Sequence, residues 1–339
     1  MAAYAGIDLH SNNNYLGIIN EQDQRLFKKR MPNDLRKILQ VLAPFRDELQ
    51  GIAIESTFNW YWLVDGLQER GYRVHLANPS AIQQYEGLKH SDDKWDSFWL
   101  AHLLRLNILP EGYVYPKAER AVRDLFRRRM LLVQQRTSHI LSLQSMLARN
   151  LGIQMSGNTI KRLVEADAER LFKERHLVLA AANSISVMHA LKERIRLIER
   201  AVYEQGALRE EFTPLLTSPG IGKILGLTIM FEVGDINRFP QVGNYASYCR
   251  CVKSERLSNG KKKGSGNSKN GNKYLSWAYV EAAHHARRTC LSAQRFYQRK
   301  AAQTNTVAAV KALAHKLCRA SYYVMRDGIP FDEARLFRR

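Results

Sequence analysis

Two short apolar runs that each contain an acidic residue near their end constrain the fold of the first hundred residues most. The first run covers residues 4–10 and includes Asp8, and the second covers residues 51–56 and includes Glu55. Short apolar runs bounded by turn-forming residues are typical of buried β-strands. Three more strands are predicted from similar runs, at residues 15–20, 25–30 and 72–77. With the amphipathic stretches between them, the predicted order is β-β-β-α-β-α-β-α.

This order is that of a ribonuclease H-like α/β domain, in which the first strand is central and the fourth lies beside it. Asp8 and Glu55 would then lie at neighbouring strand ends. A closing helix over residues 92–106 carries Asp93 and Asp96, three residues apart and so on one face of its first turn. Converging carboxylates repel one another unless they share a divalent cation or a proton. We therefore expect a metal site for Mg²⁺, with Mn²⁺ as an alternative.

Each of these acids taken alone is also compatible with a solvated residue at the end of a strand or helix. The element order is what brings them together. His10, just past Asp8, is interpreted as a polar residue at the strand end rather than as a ligand.

Positive charge is distributed unevenly along the 339 residues. The formal net charge is +20, with net −1 in residues 1–110 and net +21 in residues 111–339. A strongly basic chain suits a polyanionic partner such as nucleic acid. We therefore predict that the last two thirds hold the nucleic-acid-binding surface, while the first third holds the carboxylates.

The helical pattern changes along the chain and predicts three parts. Residues 1–115 form the α/β domain, residues 116–206 form a long helical arm, and residues 207–339 form a mostly helical C-terminal domain. The arm is compatible with a helical hairpin or an intermolecular coiled coil, and the alternative is a bundle packed on the same chain. Its dense basic face favours phosphate contact, although such faces are also commonly just solvated. The residues assigned to this contact are Arg123, Arg127 and Arg128.

A glycine-rich turn and a basic segment mark the C-terminal part. The sequence Pro219-Gly220-Ile221-Gly222 lies between two helical stretches and resembles a helix-hairpin-helix element, in which backbone N–H groups approach a phosphate. An ordinary helix–helix turn is the alternative. Residues 261–273 are predicted to form a flexible basic loop that tracks a nucleic-acid backbone. The residues assigned to phosphate contact in these segments are Gly220, Gly222, Lys223, Lys261, Lys262, Lys263, Lys269 and Lys273.

Cysteine usage and hydropathy restrict the setting. The four cysteines form no paired CxxC arrangement, so we expect buried thiols in a reducing cytoplasm rather than a zinc site. No apolar run approaches the ~18 to 20 residues of a membrane span.

Taken together, the chain resembles the transposases of the insertion sequence 110 family, the DEDD recombinases related to the Piv DNA invertase. Ile7-Asp8, Ile54-Glu55 and Asp93-x-x-Asp96 look like the tetrad of the family's RuvC-like domain. The stretches at residues 218–222 and 232–239 look like the core of its C-terminal transposase domain. The resemblance covers nearly the whole chain.

The resemblance implies that a serine in the C-terminal domain attacks a DNA phosphodiester and forms a covalent phosphoserine link, assisted by the tetrad and Mg²⁺. Ser258 matches the family's serine best, and Ser254 is the alternative because Asn259, rather than a glycine, follows Ser258. Asp92 is likewise an alternative to Asp93 as the third ligand.

The resemblance also implies partners: target and donor DNA, a structured non-coding bridge RNA that reads sequence by base pairing, and dimers that assemble into tetramers. It further implies a bacterial, nucleoid-associated protein. The residues alone leave two rival functions open. One is a RuvC-like, metal-dependent structure-specific nuclease that uses water as its nucleophile, and the other is a non-catalytic nucleic-acid binder.

Overall fold

The computed structural model of this chain describes residues 1–82, 93–252, 255–265 and 270–337. The chain folds into two compact units. The first comprises Met1–Lys117 and Arg256–Asn270, and the second comprises Ala118–Glu255 and Gly271–Arg339. The finer division into three parts, with boundaries after residues 115 and 206, stays a prediction.

The first unit is built on a five-stranded mixed sheet. Its central strand, β1 (Ala3–Leu9), pairs antiparallel with β2 (Asn13–Asn20) and parallel with β4 (Leu49–Glu55). On the outside, β3 (Arg25–Pro32) pairs with β2, and β5 (Val74–Ala77) pairs parallel with β4. The strand order is β3-β2-β1-β4-β5. The prediction of an α/β domain with a central first strand and the fourth strand beside it is confirmed.

Three α-helices accompany this sheet in the described residues, namely α1 (Leu35–Leu42), α2 (Tyr61–Gln68) and α3 (Asp93–Arg105). The first begins directly after Asp34, whose carboxylate accepts a hydrogen bond from the backbone N–H of Arg36, at 2.9 Å. Such a cap satisfies one of the N–H groups that have no partner within the helix. A 3₁₀ turn at 43–45 extends α1.

The two faces of the sheet carry side chains of different size. Strand residues alternate between faces, and the large side chains of Ile7 and Ile54 pack in one core with α1 and α2. On the opposite face, Gly6 and Ala53 leave room for α3, which packs against β1, β2 and β4. A Cβ atom at Gly6 would collide with the backbone oxygen of Ser97 in α3. The small residues therefore let α3 lie directly on the backbone of the central strand.

The second unit is built from helices, of which two are long. These are α4 (Lys117–Leu151) and α7 (Arg175–Gly206), with the short α5 (Gly157–Ile160) and α6 (Asp167–Leu171) between them. Buried apolar side chains of α4 and α7 meet in two clusters. Phe126 and Val202 belong to one, and the other includes Ile140, Leu143, Leu147, Ala181, Ile185 and Met188. The predicted arm is therefore a helical hairpin within one chain.

The rest of the second unit packs around buried helices. Tyr245 and Tyr279 have no exposed surface, and their hydroxyl groups form a hydrogen bond of 2.6 Å. Glu232 links distant elements, because its carboxylate accepts hydrogen bonds from Arg127 and from Asn272. The helices are α8 (Phe212–Leu216), α9 (Lys223–Val233), α10 (Val242–Tyr248), α11 (Lys273–Thr289), α12 (Leu291–Gln303), α13 (Thr306–Asp327) and α14 (Glu333–Phe337).

A two-stranded hairpin corrects one prediction. Strands β6 (Glu255–Ser258) and β7 (Lys261–Ser265) are joined by Asn259 and Gly260, whose φ angles are 52° and 71°. Positive φ at both central residues is what a tight type I′ hairpin turn requires, and Asn-Gly is the pair that adopts it most readily. The prediction of a flexible loop over residues 261–273 is therefore wrong for Lys261–Ser265.

The thiols of Cys249 and Cys318 are buried, whereas those of Cys251 and Cys290 are partly exposed, and all four are free. Within the part of the chain that the structure describes, no helix is long and apolar enough to cross a membrane.

Candidate active site

Asp8 and Glu55 lie at the same end of two neighbouring parallel strands. Ile7 of β1 pairs with Ile54 of β4, so the residue that follows each of them falls at the adjacent position. Because side chains alternate along a strand, Asp8 shares the face of Gly6, and Glu55 shares the face of Ala53. This is the face covered by α3. The sheet topology thus directs both carboxyl groups to one place.

The pKa of Glu55 reflects the proximity of these groups. The pKa of Glu55 is raised to about 7, first by burial, then by a hydrogen bond to Asp8 and the negative charge of Asp8, and then by the charge of Asp96. The charge of His10 acts in the opposite direction. Two carboxyl groups that form a hydrogen bond must share a proton. The structure therefore brings together three of the four predicted carboxylates, Asp8, Glu55 and Asp96.

The fourth carboxylate lies at the edge of what is described. Asp93 is the first residue of α3, but its side chain, like the whole of Asp92, lies outside the described residues. Among the side chains that the structure describes, no group of three or more His, Cys, Asp or Glu is arranged to hold a metal ion. The choice between Asp92 and Asp93 and the metal-binding role of the group stay predictions.

His10, interpreted from the sequence as a polar residue at the end of the strand, lies beside this cluster. Its Nε2 lies 3.1 Å from an Asp8 carboxylate oxygen. Its backbone oxygen accepts hydrogen bonds from the side-chain amides of Asn33, at 3.0 Å, and Asn59, at 2.9 Å, which hold the end of β1 in place. In the sequence, this proximity is indicated by the spacing of Asp8 and His10, because residues two apart on an extended segment lie on the same face.

Ser258 is the last residue of β6 and directly precedes the tight Asn-Gly turn. Its side chain lies outside the described residues, as does the whole of Ser254. The segment Arg256–Asn270 belongs to the first compact unit, which also contains Asp8 and Glu55. A segment far along the chain thus belongs with the strands that carry the carboxylates.

The three arginines assigned to phosphate contact have different surroundings. Arg127 donates from Nε to one carboxylate oxygen of Glu232 at 2.6 Å and from its terminal nitrogen to the other at 2.7 Å. Glu232 is only 4% exposed. Arg123 is buried, whereas Arg128 is exposed. Of the three, Arg128 has the side chain most accessible to a phosphate in this structure.

The structure also describes some of the lysines and glycines that were assigned to phosphate contact. Gly220 has a φ of 81° and lies against the backbone of α11, and Gly222 immediately precedes α9. The side chain of Lys262 and the whole of Lys269 lie outside the described residues. The other four assigned lysines have exposed side chains, namely Lys223, Lys261, Lys263 and Lys273.

Comparison with known proteins identifies the class of this chain. A family model described as Transposase, for the DEDD transposases of IS110, matches residues 5–150, which include the sheet, α3 and nearly all of α4. A second model, described as Transposase IS116/IS110/IS902 family, matches residues 213–298, and the two together cover more than half of the chain. The transposase for insertion sequence element IS1328 of Yersinia enterocolitica is 25% identical over 344 residues, covering 97% of this chain and 98% of the relative.

The chain has a carboxylate cluster on a mixed sheet, a helical remainder and two matches to transposase family models. These features define an enzyme of the transposase class, which acts on DNA. The chain belongs to the IS110 family of transposases.

Proposed function

We propose that this transposase cuts and rejoins DNA through a covalent phosphoserine intermediate at Ser258. The carboxylates of Asp8, Glu55, Asp93 and Asp96, on a RuvC-like domain, would hold the Mg²⁺ that assists the reaction. The observation that supports the metal-assisted part of the proposal is the proximity of three carboxyl groups, because Glu55 forms a hydrogen bond with Asp8 and interacts with the charge of Asp96.

The donor chemistry of this cluster fits a hard divalent cation. Mg²⁺ prefers carboxylate oxygens in an otherwise hydrated shell, and three acidic side chains supply such oxygens here. Burial and two like charges raise the pKa of Glu55 to about 7, so complete ionisation of the cluster is unfavourable. When bound, the cation would offset this repulsion and stabilise negative charge on the scissile phosphate. Asp93 is included as the fourth ligand on the basis of the sequence resemblance alone.

The proposed chemistry at Ser258 balances without a high-energy cofactor. The serine oxygen forms an ester bond to the phosphorus while the bond from phosphorus to a deoxyribose oxygen breaks. The serine hydroxyl loses one proton, and the leaving oxygen gains one. The phosphoester is thereby retained on the enzyme, and a hydroxyl at another DNA end completes strand exchange by the reverse step.

The placement of the hairpin supports assembly of this site from one chain. The segment Arg256–Asn270 groups with the unit that contains Asp8 and Glu55. A tight turn after Ser258 fixes the direction in which the chain leaves the serine. Assembly across a dimer, with the carboxylates of one protomer facing the serine of another, is the alternative arrangement.

We further propose that a non-coding bridge RNA guides the enzyme and that dimers joined by the helical arm pair into tetramers in the bacterial cytoplasm, at the nucleoid. The distribution of positive charge supports an RNA partner. The exposed lysines are distributed over several elements rather than along a single recognition helix. This distribution suits contacts to a nucleic-acid backbone whose sequence is read by base pairing. Sequencing of RNA that copurifies with the full chain tests this part.

Trapping the covalent intermediate tests the main proposal. The full-length protein is incubated with donor DNA and Mg²⁺, denatured, digested and mapped by mass spectrometry. We expect a nucleotide adduct on Ser258 that disappears in Ser258→Ala and in Asp8→Asn. Ser254→Ala is the matched control and should keep the adduct. An adduct that survives Ser258→Ala but not Ser254→Ala would transfer the role to Ser254.

The rival function is a structure-specific nuclease that uses water as its nucleophile. It shares the carboxylates and Mg²⁺ but needs no serine. If Ser258→Ala and Ser254→Ala both cut DNA at the wild-type rate while Asp8→Asn does not, the nuclease is correct and the phosphoserine is wrong.

A further inference from the structure

An open cleft of about 590 Å³ lies in the second unit, beside the glycine-rich turn. Its walls are residues 216–225 together with His285 and Thr289 of α11, and no Asp or Glu is among them. The only side chain in this wall with a permanent charge is that of Lys223. The cleft is therefore suited to an anion rather than to a cation.

The turn beside the cleft is rigidly placed. Ile221 N–H donates to the backbone oxygen of Ser218 at 3.1 Å, with Pro219 second and Gly220 third in the turn. Proline at the second position and a positive φ at the third define a type II turn, which needs glycine there. A Cβ at Gly220 would collide with the backbone oxygen of Ala282 in α11. The turn thus lies directly against a second helix and has little freedom to move.

The helix that follows the turn begins without a capping side chain. Gly222 occupies the N-cap position of the eleven-residue α9, and no described side chain accepts a hydrogen bond from its first turn. A Cβ at Gly222 would meet nothing within 4 Å, so the space in front of this terminus is open. The first N–H groups of a helix lack partners within the helix, and the helix dipole adds positive potential there. Together they attract anions.

Ser218 supplies an independent observation at the same cleft. Its side chain is only 3% exposed, and its hydroxyl has no hydrogen-bond partner among the described residues. A buried hydroxyl without a partner is unfavourable. Ser321 shows the ordinary situation in the same unit, because its fully buried hydroxyl donates to the backbone oxygen of Leu317 at 3.0 Å. Ser218 is one of the residues that line the cleft, and the hydrogen-bonding capacity of its hydroxyl is unused within the described protein.

We propose that this cleft binds a phosphodiester group of a nucleic-acid backbone. The Ser218 hydroxyl and the N–H groups of the first turn of α9 would donate hydrogen bonds to the phosphate oxygens. Lys223 supplies the positive charge at the rim, where its ammonium group lies 4.4 Å from the centre of the Tyr203 ring. This binding site is separate from the carboxylate chemistry and does not depend on which serine is the nucleophile.

Replacement of Ser218 distinguishes ligand binding from a structural role. Binding of the full chain to a fluorescein-labelled DNA duplex and to a labelled RNA hairpin is measured by fluorescence anisotropy in EDTA. We expect Ser218→Ala to weaken binding about tenfold, as for the loss of one hydrogen bond to a charged group. Without nucleic acid, its melting temperature should equal or exceed that of the wild type, because an unpaired buried hydroxyl has been removed. Ser321→Ala is the control and should leave binding unchanged.

Replacement of Lys223 tests the charge independently, because this side chain is exposed. Lys223→Gln should weaken duplex binding and lower the slope of log K against log salt by about 0.9, whereas Ser218→Ala should leave the slope unchanged. Weaker binding of the duplex alone assigns the phosphate to DNA, and weaker binding of the hairpin alone assigns it to RNA. Wild-type binding of both probes by both variants overturns the proposal. Because the assay excludes Mg²⁺ and measures no adduct, that result would leave the chemistry at Ser258 untouched.

Discussion

Replacement of Gly6 by alanine tests whether the close approach of α3 to β1 builds the carboxylate cluster. The added Cβ would collide with the backbone oxygen of Ser97 and lie 2.8 Å from the backbone nitrogen of Ala101. An ordinary carbon contact needs about 3.5 Å, so helix and strand must separate by roughly 1 Å or more. Neither neighbour is a side chain that can rotate away. The expected cost in the free energy of unfolding is therefore about 3 kcal/mol, at the upper end for an overpacked core.

The same displacement moves Asp96 away from Asp8 and Glu55. A shift of about 1 Å in a catalytic group costs on the order of 100-fold in rate, so the yield of covalent adduct should fall by about that factor. It should fall even at low temperature, where the variant is folded. The pKa of Glu55, followed by NMR, should also decrease, because one of the two like charges that raise it has receded.

Urea denaturation and adduct yield are measured on three variants. Gly112→Ala is the control, because its Cβ would make only ordinary contacts of 3.5 to 3.8 Å with Leu76. Gly17→Ala should be intermediate, since its Cβ meets the ring of Phe98 at 2.9 Å and a ring is able to adjust. If Gly6→Ala matches Gly112→Ala in both stability and adduct yield, α3 does not position the cluster and the reasoning fails.

Three further predictions concern other parts of the chain. Glu232→Ala leaves the guanidinium of Arg127 partly buried without its carboxylate and should cost about 3 kcal/mol in urea denaturation, whereas Glu210→Ala at an exposed position should cost almost nothing. In EDTA, the free energy of unfolding should fall as the pH rises from about 4.5 through about 7, because the folded protein keeps a proton on Glu55 that the unfolded chain has released; Glu55→Gln should remove this dependence. Gly260→Ala strains a residue with a φ of 71° by about 1 kcal/mol and should lower adduct yield while the melting temperature stays nearly unchanged.

The sheet and its acidic pair are predictable from the sequence because the signals are local. Apolar runs with turn-forming residues between them identify the strands, and the order of elements makes the first and fourth strands neighbours. That adjacency alone places Asp8 beside Glu55. The face to which they point follows from alternation, since Gly6 and Ala53 are the small residues that the closing helix covers.

The hairpin beyond Ser258 was not predictable from apolar pattern, because β7 is rich in lysine and its sequence shows no alternation of apolar and polar residues. Its signal was instead the pair Asn259-Gly260, which specifies a tight hairpin turn. The ion pair of Arg127 with Glu232 left no trace in the sequence at all. These residues are 105 positions apart, and only the packing of α4 against α9 brings them together.

This ion pair also changes how the positive charge of the chain is to be understood. A count of cations treats every arginine as available to phosphate, yet Arg127 is occupied by a carboxylate and Arg123 is buried. Net charge therefore overestimates the binding surface wherever arginines stabilise helix packing. The binding proposed at the Ser218 cleft would be the opposite case, because one hydroxyl, one lysine and a row of backbone N–H groups would hold a phosphate with little charge. The experiments with salt separate the two kinds of contact, since only charge changes the slope.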